Sequence, residues 1–533
     1  MKRRIQKSTG ASILLSILLL SSCRSTDTEN NLAGNGISVV NFNLMGSAYS
    51  DSGELAGQAS LTKENLSNYE NQVQRNNILI TPSSIVITEL SPLKESLKVA
   101  SSGLNSIAAI PGNSITSGMK FRVIAYRQSN GNYHTHEDYT VGQPAAPMML
   151  DNGAAYNIIV YSYGAASLPL ISSGEQNNLS SAIVNYDDTN RDFMYQKIPF
   201  TPTNSTNTLN ITLRHKVAQI TAIVNSVGLG NITNITGGLL TPHYSNGIVS
   251  LASGTMSERT ILSKGTALNF SDFNTTTSTS APVFINADTA GNNAGGFSAA
   301  ITIGGTTKTF NLSNSFKITP ENKSNLTIKI AKCGAYIGPN TNPANFKEFM
   351  CHNLGATTSA DPFTPAAAVH GAKYQWGAQT GEARRYVSQY DDQNGGNPLW
   401  NTSVKGNNSW SDTSKTSNDP CPSGYRVPTN AQWQAVLANN NMERIGPWSY
   451  NSYNSAIYFR NPSNVRTLML PVTGYRDQFG GKINQRGLSG QYWSASESSS
   501  GAAYFLRFTN WDIEMGDYNR ANAFSVRCIS MGN

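Results

Sequence analysis

Charge is scarce in this chain. Only 13% of its 533 residues are Asp, Glu, Lys or Arg, and no stretch gathers Lys and Arg among aromatic side chains. That argues against a nucleic-acid partner, which would need a clustered basic surface. It also argues against a helical bundle or coiled coil, both rich in charged residues. Histidine is rarer still, at 6 residues. No HExxH helix, phosphate-cradling glycine loop or Ser-His-Asp arrangement can be found. Cysteine is limited to 5 residues with no close pair among them, which disfavours dithiol redox chemistry. The one strongly apolar run, Ile13–Leu20, is too short to span a bilayer, for which about 20 residues are required. What remains abundant is Gly, Asn, Ser and Thr, the composition of short strands joined by polar loops.

The formal net charge of +7 overstates the basicity of the folded part. Four of those positives, Lys2, Arg3, Arg4 and Lys7, precede the apolar run, and without them +3 remains. A basic start, a short apolar core and small residues after it read as a targeting segment over residues 1–22. It ends in Leu20-Ser21-Ser22-Cys23, which resembles the bacterial lipobox. That resemblance implies cleavage before Cys23 and acylation of its thiol. Each buried CH₂ of the acyl chains contributes about 0.8 kcal/mol to membrane binding. Residues 23–37 are then a polar, flexible tether. Asp27 and Glu29 resemble the acidic surface-export signals of Bacteroidetes lipoproteins. The expected location is the outer membrane, lipid-anchored and facing the cell surface, with the membrane as a partner.

Export places the chain in an oxidising compartment. Four cysteines remain after Cys23, all in the last third: Cys333, Cys351, Cys421 and Cys528. An even number confined to one region reads as two disulfides. Three pairings are open, and we favour Cys333–Cys351 with Cys421–Cys528. The second would close a loop of about 100 residues, for which chain entropy gives near 4.7 kcal/mol.

From Ser38 to Lys332 the signals are almost all strands, and the expected class is mostly β. Val40, Phe42 and Leu44 alternate with asparagines, and Met119, Phe121, Val123 and Ala125 alternate before an Asn130-Gly131 turn. Tyr156–Tyr163 is nearly continuously apolar, as in a central strand. Leu209, Ile211 and Leu213 alternate, Arg214-His215-Lys216 interrupts, and Ala218, Ile220, Ala222 and Val224 resume. Further strands are expected at Val283–Asn286, Phe297–Ile303, Lys308–Leu312 and Leu326–Ile330. About 300 residues of this kind suggest two sandwiches.

The order of these elements resembles the fimbrillin-like family of Bacteroidetes. The resemblance rests on the lipobox, the strand Val39–Leu44, Phe121-Arg-Val-Ile-Ala-Tyr, Gly153-Ala-Ala-Tyr-Asn-Ile-Ile-Val-Tyr-Ser-Tyr, Asp192-Phe-Met-Tyr and Leu213-Arg-His-Lys-Val-Ala-Gln-Ile. It covers roughly residues 36–332 and implies two tandem β-sandwiches, at 38–205 and 206–332, together with pilus subunits as partners. In polymerising members, cleavage after an arginine removes the first strand and another subunit's strand takes its place. Arg24 and Arg75 are the early arginines here, and neither stands in a context that demands cleavage. His134 and His136 would share one face of a regular strand, close to Glu137 and Asp138. Two imidazoles on one face can begin a zinc or copper site. The plainer reading is the exposed arm of a hairpin, and no metal is expected there. Asp288-Thr289-Ala290 resembles the O-glycosylation acceptor triplet of the same phylum.

After Lys332 the composition changes. All seven tryptophans lie between Trp376 and Trp511. Thr429 and Gln432, in Cys421-Pro-Ser-Gly-Tyr-Arg-Val-Pro-Thr-Asn-Ala-Gln-Trp433, form a capping box that starts a helix. Trp433, Val436 and Leu437 then share its apolar face. With Gly371-Ala-Lys-Tyr-Gln-Trp-Gly-Ala378, Thr467-Leu-Met-Leu-Pro-Val-Thr-Gly-Tyr-Arg476, Tyr492-Trp-Ser-Ala-Ser496 and Phe524-Ser-Val-Arg-Cys-Ile529, this stretch resembles the Fibrobacter succinogenes major paralogous domain. That resemblance covers 333–533. It implies an α+β fold akin to C-type lectins and to formylglycine-generating enzymes, with long loops held by disulfides. Asp391-Asp392-Gln-Asn394-Gly395 is oxygen-rich enough for calcium, and Asn510-Trp511-Asp512 is not the lectin order Trp-Asn-Asp. The plain reading of both is a solvated loop. Trp376, Trp433 and Trp493 could stack on sugars, but core packing is the expected role of Trp433. No catalytic residues and no resident cofactor are expected. The expected function is an adhesin, or a ligand-binding accessory or tip component of a pilus, taking a glycan or host-surface ligand through loops at 379–417 or 475–520. A structural pilus or surface-layer subunit is the alternative, and a glycan-processing enzyme the next.

Overall fold

The computed structural model describes residues 36–49, 73–93, 115–187, 192–203, 206–396 and 398–532. Cys23, Arg24 and the tether up to residue 35 lie outside them. The described chain is mostly β, arranged in several sheets with two disulfides. No described helix is long and apolar enough to cross a membrane.

The first unit is built on a seven-stranded sheet. Its order is Tyr133–Thr140, Lys120–Arg127, Tyr156–Ser162, Met194–Phe200, Thr206–His215, Ile37–Ala48 and Met148–Asp151. The strands carrying Phe42 and Tyr139 are five places apart in that order, yet the ring centroids are 5.7 Å apart. Twist therefore coils the sheet until its two ends meet over a shared core. Val40, Val123, Ile158, Val160 and Ile211 fill that inner face. The opposite face, with Ile124, Tyr161 and Tyr163, packs on a small sheet of Ile183–Asp187, Asn246–Ser250 and Met256–Ser257. Burial on both faces explains why Lys120–Arg127 and Tyr156–Ser162 are apolar at nearly every position. Arg122, in the middle of the first, is buried and held by Asp138 at 2.7 Å and Glu175 at 2.9 Å.

The second unit is a sandwich. One sheet runs Thr277–Thr279, Ala218–Asn225, Lys323–Lys332, Ser84–Pro92 and Gln74–Thr81, with Val283–Ile285 also paired to Ala218–Asn225. The other runs Thr266–Ala267, Ile232–Thr241, Gly295–Ile303 and Thr306–Phe316. Val86, Ile220, Leu240, Phe297, Leu312 and Leu326 interdigitate between them. The interruption at Arg214-His215-Lys216 is where the chain leaves one sheet for the other.

A boundary at residue 205 must be corrected. Thr206–His215 belongs to the first sheet, paired with Ile37–Ala48. The hairpin Gln74–Pro92 belongs to the second unit, paired along Lys323–Lys332. Asn246–Ser250 returns to pair with Ile183–Asp187. The two units are therefore interlaced, and neither is a continuous segment of chain. Strand periodicity reports burial of a face and carries no information about which distant strand supplies the edge partner.

The C-terminal unit follows Lys332 and combines short sheets with long loops. Trp376, Trp410, Trp493 and Phe524 form one core cluster, and Trp433, Ile457, Leu470, Tyr492 and Leu506 another. The helix Asn430–Asn439 starts at Thr429, whose hydroxyl accepts from the Gln432 amide at 3.1 Å. The Gln432 side chain accepts from the Thr429 amide in return, at 2.9 Å. The unit is joined to the sandwich by more than one strand of chain. The turn Pro82-Ser83, at the tip of the interlaced hairpin, accepts from the Cys351 and Cys333 amides, each at 2.8 Å. The Ser83 hydroxyl donates to Glu348 at 2.5 Å and accepts from Tyr425 at 2.9 Å.

Candidate functional site on the C-terminal unit

Two loops of this unit are fastened to each other from below by a buried carboxylate. The short helix Gln389–Asn394 begins at Ser388, which caps it by accepting from the Asp391 amide. This turns Asp392 inward and leaves Tyr390 outward. Asp392 accepts from Arg476 Nε at 2.8 Å and Arg486 Nη2 at 3.2 Å, with Lys373 Nζ at 3.4 Å. Arg476 also donates to the carbonyls of Gly481 at 2.9 Å and Asp392 at 3.0 Å, so the turn at 477–481 is tied to the same point. Burial raises the affinity of the Asp392 carboxyl for its proton. Lys373, Arg476 and Arg486 more than offset it, and the group is held below the usual carboxylate range. Burial lowers the Lys373 ammonium, with Asp392 opposing. Burial pushes the His370 imidazole down to about 3.

Above this clamp the loops display apolar side chains. Phe479 is 82% exposed, Leu399 75% and Tyr390 74%. Gly481 has φ +68°, and a Cβ there would come within 2.4 Å of the Trp400 ring. The absence of a side chain at Gly481 therefore lets Trp400 close the seam between the two loops. Trp400 Nε1 donates to the Ala521 carbonyl at 3.1 Å, which fixes the ring. Exposed apolar groups on a surface held this firmly cannot fold inward to escape water.

The residues singled out in the sequence divide sharply. Cys333 is bonded to Cys351 and Cys421 to Cys528, the second across 107 residues. Trp376, Trp433 and Trp493 are wholly buried, and their indole N–H groups donate to the carbonyls of Ser494, Trp493 and Tyr374. They are core and offer no stacking face. Asp391-Asp392 does not fit a hard cation, because the buried carboxylate is surrounded by three positive groups. Asn510-Trp511-Asp512 is a hairpin turn with Trp511 83% exposed at its tip. His134 and His136 do not share a face. A bulge lies where Tyr133 pairs with Tyr126 and Thr135 with Ala125. His136 therefore stays with Tyr133 on one face, accepting from or donating to its hydroxyl at 2.8 Å, while His134 packs on Tyr156 of the other. The extra residue of a bulge breaks the two-residue period. The Thr289 hydroxyl is buried and accepts from the Ile318 amide at 3.1 Å, so that triplet is closed to a glycosylating enzyme as folded. Arg75 lies within the strand Gln74–Thr81, paired with Glu89 at 2.8 Å. Among the described residues no group of three or more His, Cys, Asp or Glu could hold a metal. The Asp392 clamp was not foreseen. A buried acid among cations from positions about 20, 84 and 94 residues away has no local signature.

One further concavity lies between the second unit and the C-terminal unit. It encloses about 440 Å³ among Ile80, Leu229, Ile303, Phe310, Tyr336 and Phe346.

No protein-family profile matches the chain, and no curated protein does. Among solved structures, the chain is similar to a candidate cell adhesion protein from Bacteroides uniformis ATCC 8492. The identity is 11% and the TM-score 0.28, with 41% of this chain and 92% of that one covered. A candidate cell adhesion protein from Parabacteroides distasonis ATCC 8503 matches at 9% identity and TM-score 0.29, over 45% of this chain and 87% of that one. A fimbrial assembly protein from the same Parabacteroides strain matches at 8% identity and TM-score 0.26, over 41% and 91%.

Proposed function

We propose that the chain is a surface adhesin, anchored through Cys23, whose C-terminal unit is a non-catalytic binding head on a stalk of two interlaced β units. The observation that carries this reading is the trio Phe479, Leu399 and Tyr390, exposed on two loops that Arg476 and Asp392 lock together. A rigid apolar surface binds at low ordering cost, because its side chains are already placed. The motifs that resemble the Fibrobacter succinogenes major paralogous domain supply the head, and the lipobox supplies the tether. The cysteines and buried tryptophans of the head are spent on structure, which leaves loops as the means of contact.

The test is a screen of the chain from residue 24 onward against a glycan array and host matrix proteins, with and without calcium. The adhesin reading expects a ligand bound independently of calcium. It also expects that ligand to be lost in the Phe479→Ala/Leu399→Ala variant with the melting temperature unchanged. Absence of any ligand, or one that survives the double substitution, would overturn it.

A further inference from the structure

The clamp beneath the loops is short of negative charge. One carboxylate, Asp392, faces Lys373, Arg476 and Arg486. Arg476 is saturated, with the carbonyls of Asp391, Asp392, Gly396 and Gly481 completing its partners. The others are not. The Lys373 ammonium has three donors and, among the described residues, meets Asp392 alone, at 3.4 Å, although it is fully buried. Arg486 uses Nη2 on Asp392, but its Nε is buried with no partner among the described residues. His370 stands beside them, also fully buried, and neither ring nitrogen is hydrogen-bonded among the described residues. The Tyr453 backbone lies close to that ring without hydrogen-bonding geometry. The Tyr453 ring packs on both side chains, 4.9 Å from the His370 ring and 5.3 Å from the Arg486 guanidinium carbon.

Buried polar groups are ordinarily satisfied, and buried charges are ordinarily matched. Here unspent donors and unmatched positive charge coincide. Water could satisfy the donors but would leave the positive charge, which burial already disfavours on Lys373. We infer that a small inorganic monoanion of the halide class is held between the Lys373 ammonium, the Arg486 Nε–H and one N–H of His370. A neutral imidazole keeps one such donor. The site is structural: it completes the clamp that holds the two loops in place.

The experiment uses the chain from residue 24 onward. Every tryptophan lies in the C-terminal unit, so tryptophan fluorescence, excited at wavelengths that tyrosine does not absorb, reports its melting alone. At constant ionic strength, exchanging gluconate for chloride should raise the melting temperature. Above the dissociation constant, the gain should be roughly 3–6 °C for each tenfold increase in chloride. Lys373→Met should abolish that dependence. Anomalous diffraction from a bromide-soaked crystal of the unaltered protein gives a readout that does not depend on the variant folding. A bromide peak within hydrogen-bonding reach of Lys373 Nζ and Arg486 Nε supports the inference. Water density without a bromide peak overturns it, as does equal melting in the two salts.

Discussion

Replacing Asp392 by Asn is the most informative single change to this protein. The side chain keeps its shape and one acceptor oxygen, but it loses the charge that holds Arg476 at 2.8 Å, Arg486 at 3.2 Å and Lys373 at 3.4 Å. The new amide would also direct a donor at guanidinium groups that can only donate. Breaking a buried ion pair by removing one partner costs about 3–5 kcal/mol, mainly because the opposite charge stays buried. For a unit of 150–250 residues each kcal/mol moves the melting temperature by roughly 2–4 °C, so a fall of roughly 6–20 °C is expected. Removing a cation as well, in Asp392→Asn/Lys373→Met, should return part of that loss, and the return measures their coupling. The pH dependence supplies a second check. The Asp392 carboxyl is depressed in the folded state, so its contribution is present above about pH 4 and disappears as pH falls below that. The Asn variant should lack this component. His370, lowered by burial to about 3, destabilises both proteins as pH falls below roughly 6.5, where the unfolded imidazole takes up a proton. Fluorescence melts from pH 3 to 8 would separate the two. A variant melting within about 1 °C of the parent would refute the view that this carboxylate holds the loops.

Removing the Cys421–Cys528 bridge as a double Ser variant releases a closure of 107 residues and should cost about 2–5 kcal/mol. An unchanged urea midpoint for the tryptophan signal would show that the bridge constrains nothing. Glu443 should titrate near pH 2, because it is held low first by the Arg466 hydrogen bond and then by Arg460. Carbon-detected NMR of the side-chain carboxyl would follow it, with Arg466→Ala moving the titration upward. A value near 4.3 in the parent would contradict the pairing.

The mostly-β class was legible because it rests on repeated local signals: two-residue alternation, turn residues and few charges. The capping box at Thr429 and Gln432 is likewise contained in four residues. Pairing between distant strands is different. Nothing in Gln74–Pro92 distinguishes a hairpin that stays in the first unit from one that crosses to Lys323–Lys332, since either sheet would bury the same alternate side chains. The bulge at His134 escaped for a related reason. One extra residue is a property of the pair of strands, and each strand alone reads as regular. The loops at 388–400 and 477–482 were within the stretches suspected of meeting a ligand. What would make them a site is the clamp below, and that depends on residues brought together only by folding.

Each of the two β units contains a parallel strand pair, which has a mechanical consequence. A membrane anchor would pull on the first unit at Ile37, the start of Ile37–Ala48. Part of the load leaves through the short link Lys216-Val217, at the end of that strand's parallel neighbour, Thr206–His215, and the rest through the other crossings of the interlaced chain. The second unit repeats the geometry: load arrives at the start of Ala218–Asn225 and leaves at the end of its parallel neighbour, Lys323–Lys332. Opposite forces on parallel partners strain the whole ladder of hydrogen bonds at once, along the strands. An unzipping geometry would break them one at a time. A tether stretched between a cell and a bound surface would therefore meet its greatest resistance along the axis on which it is pulled.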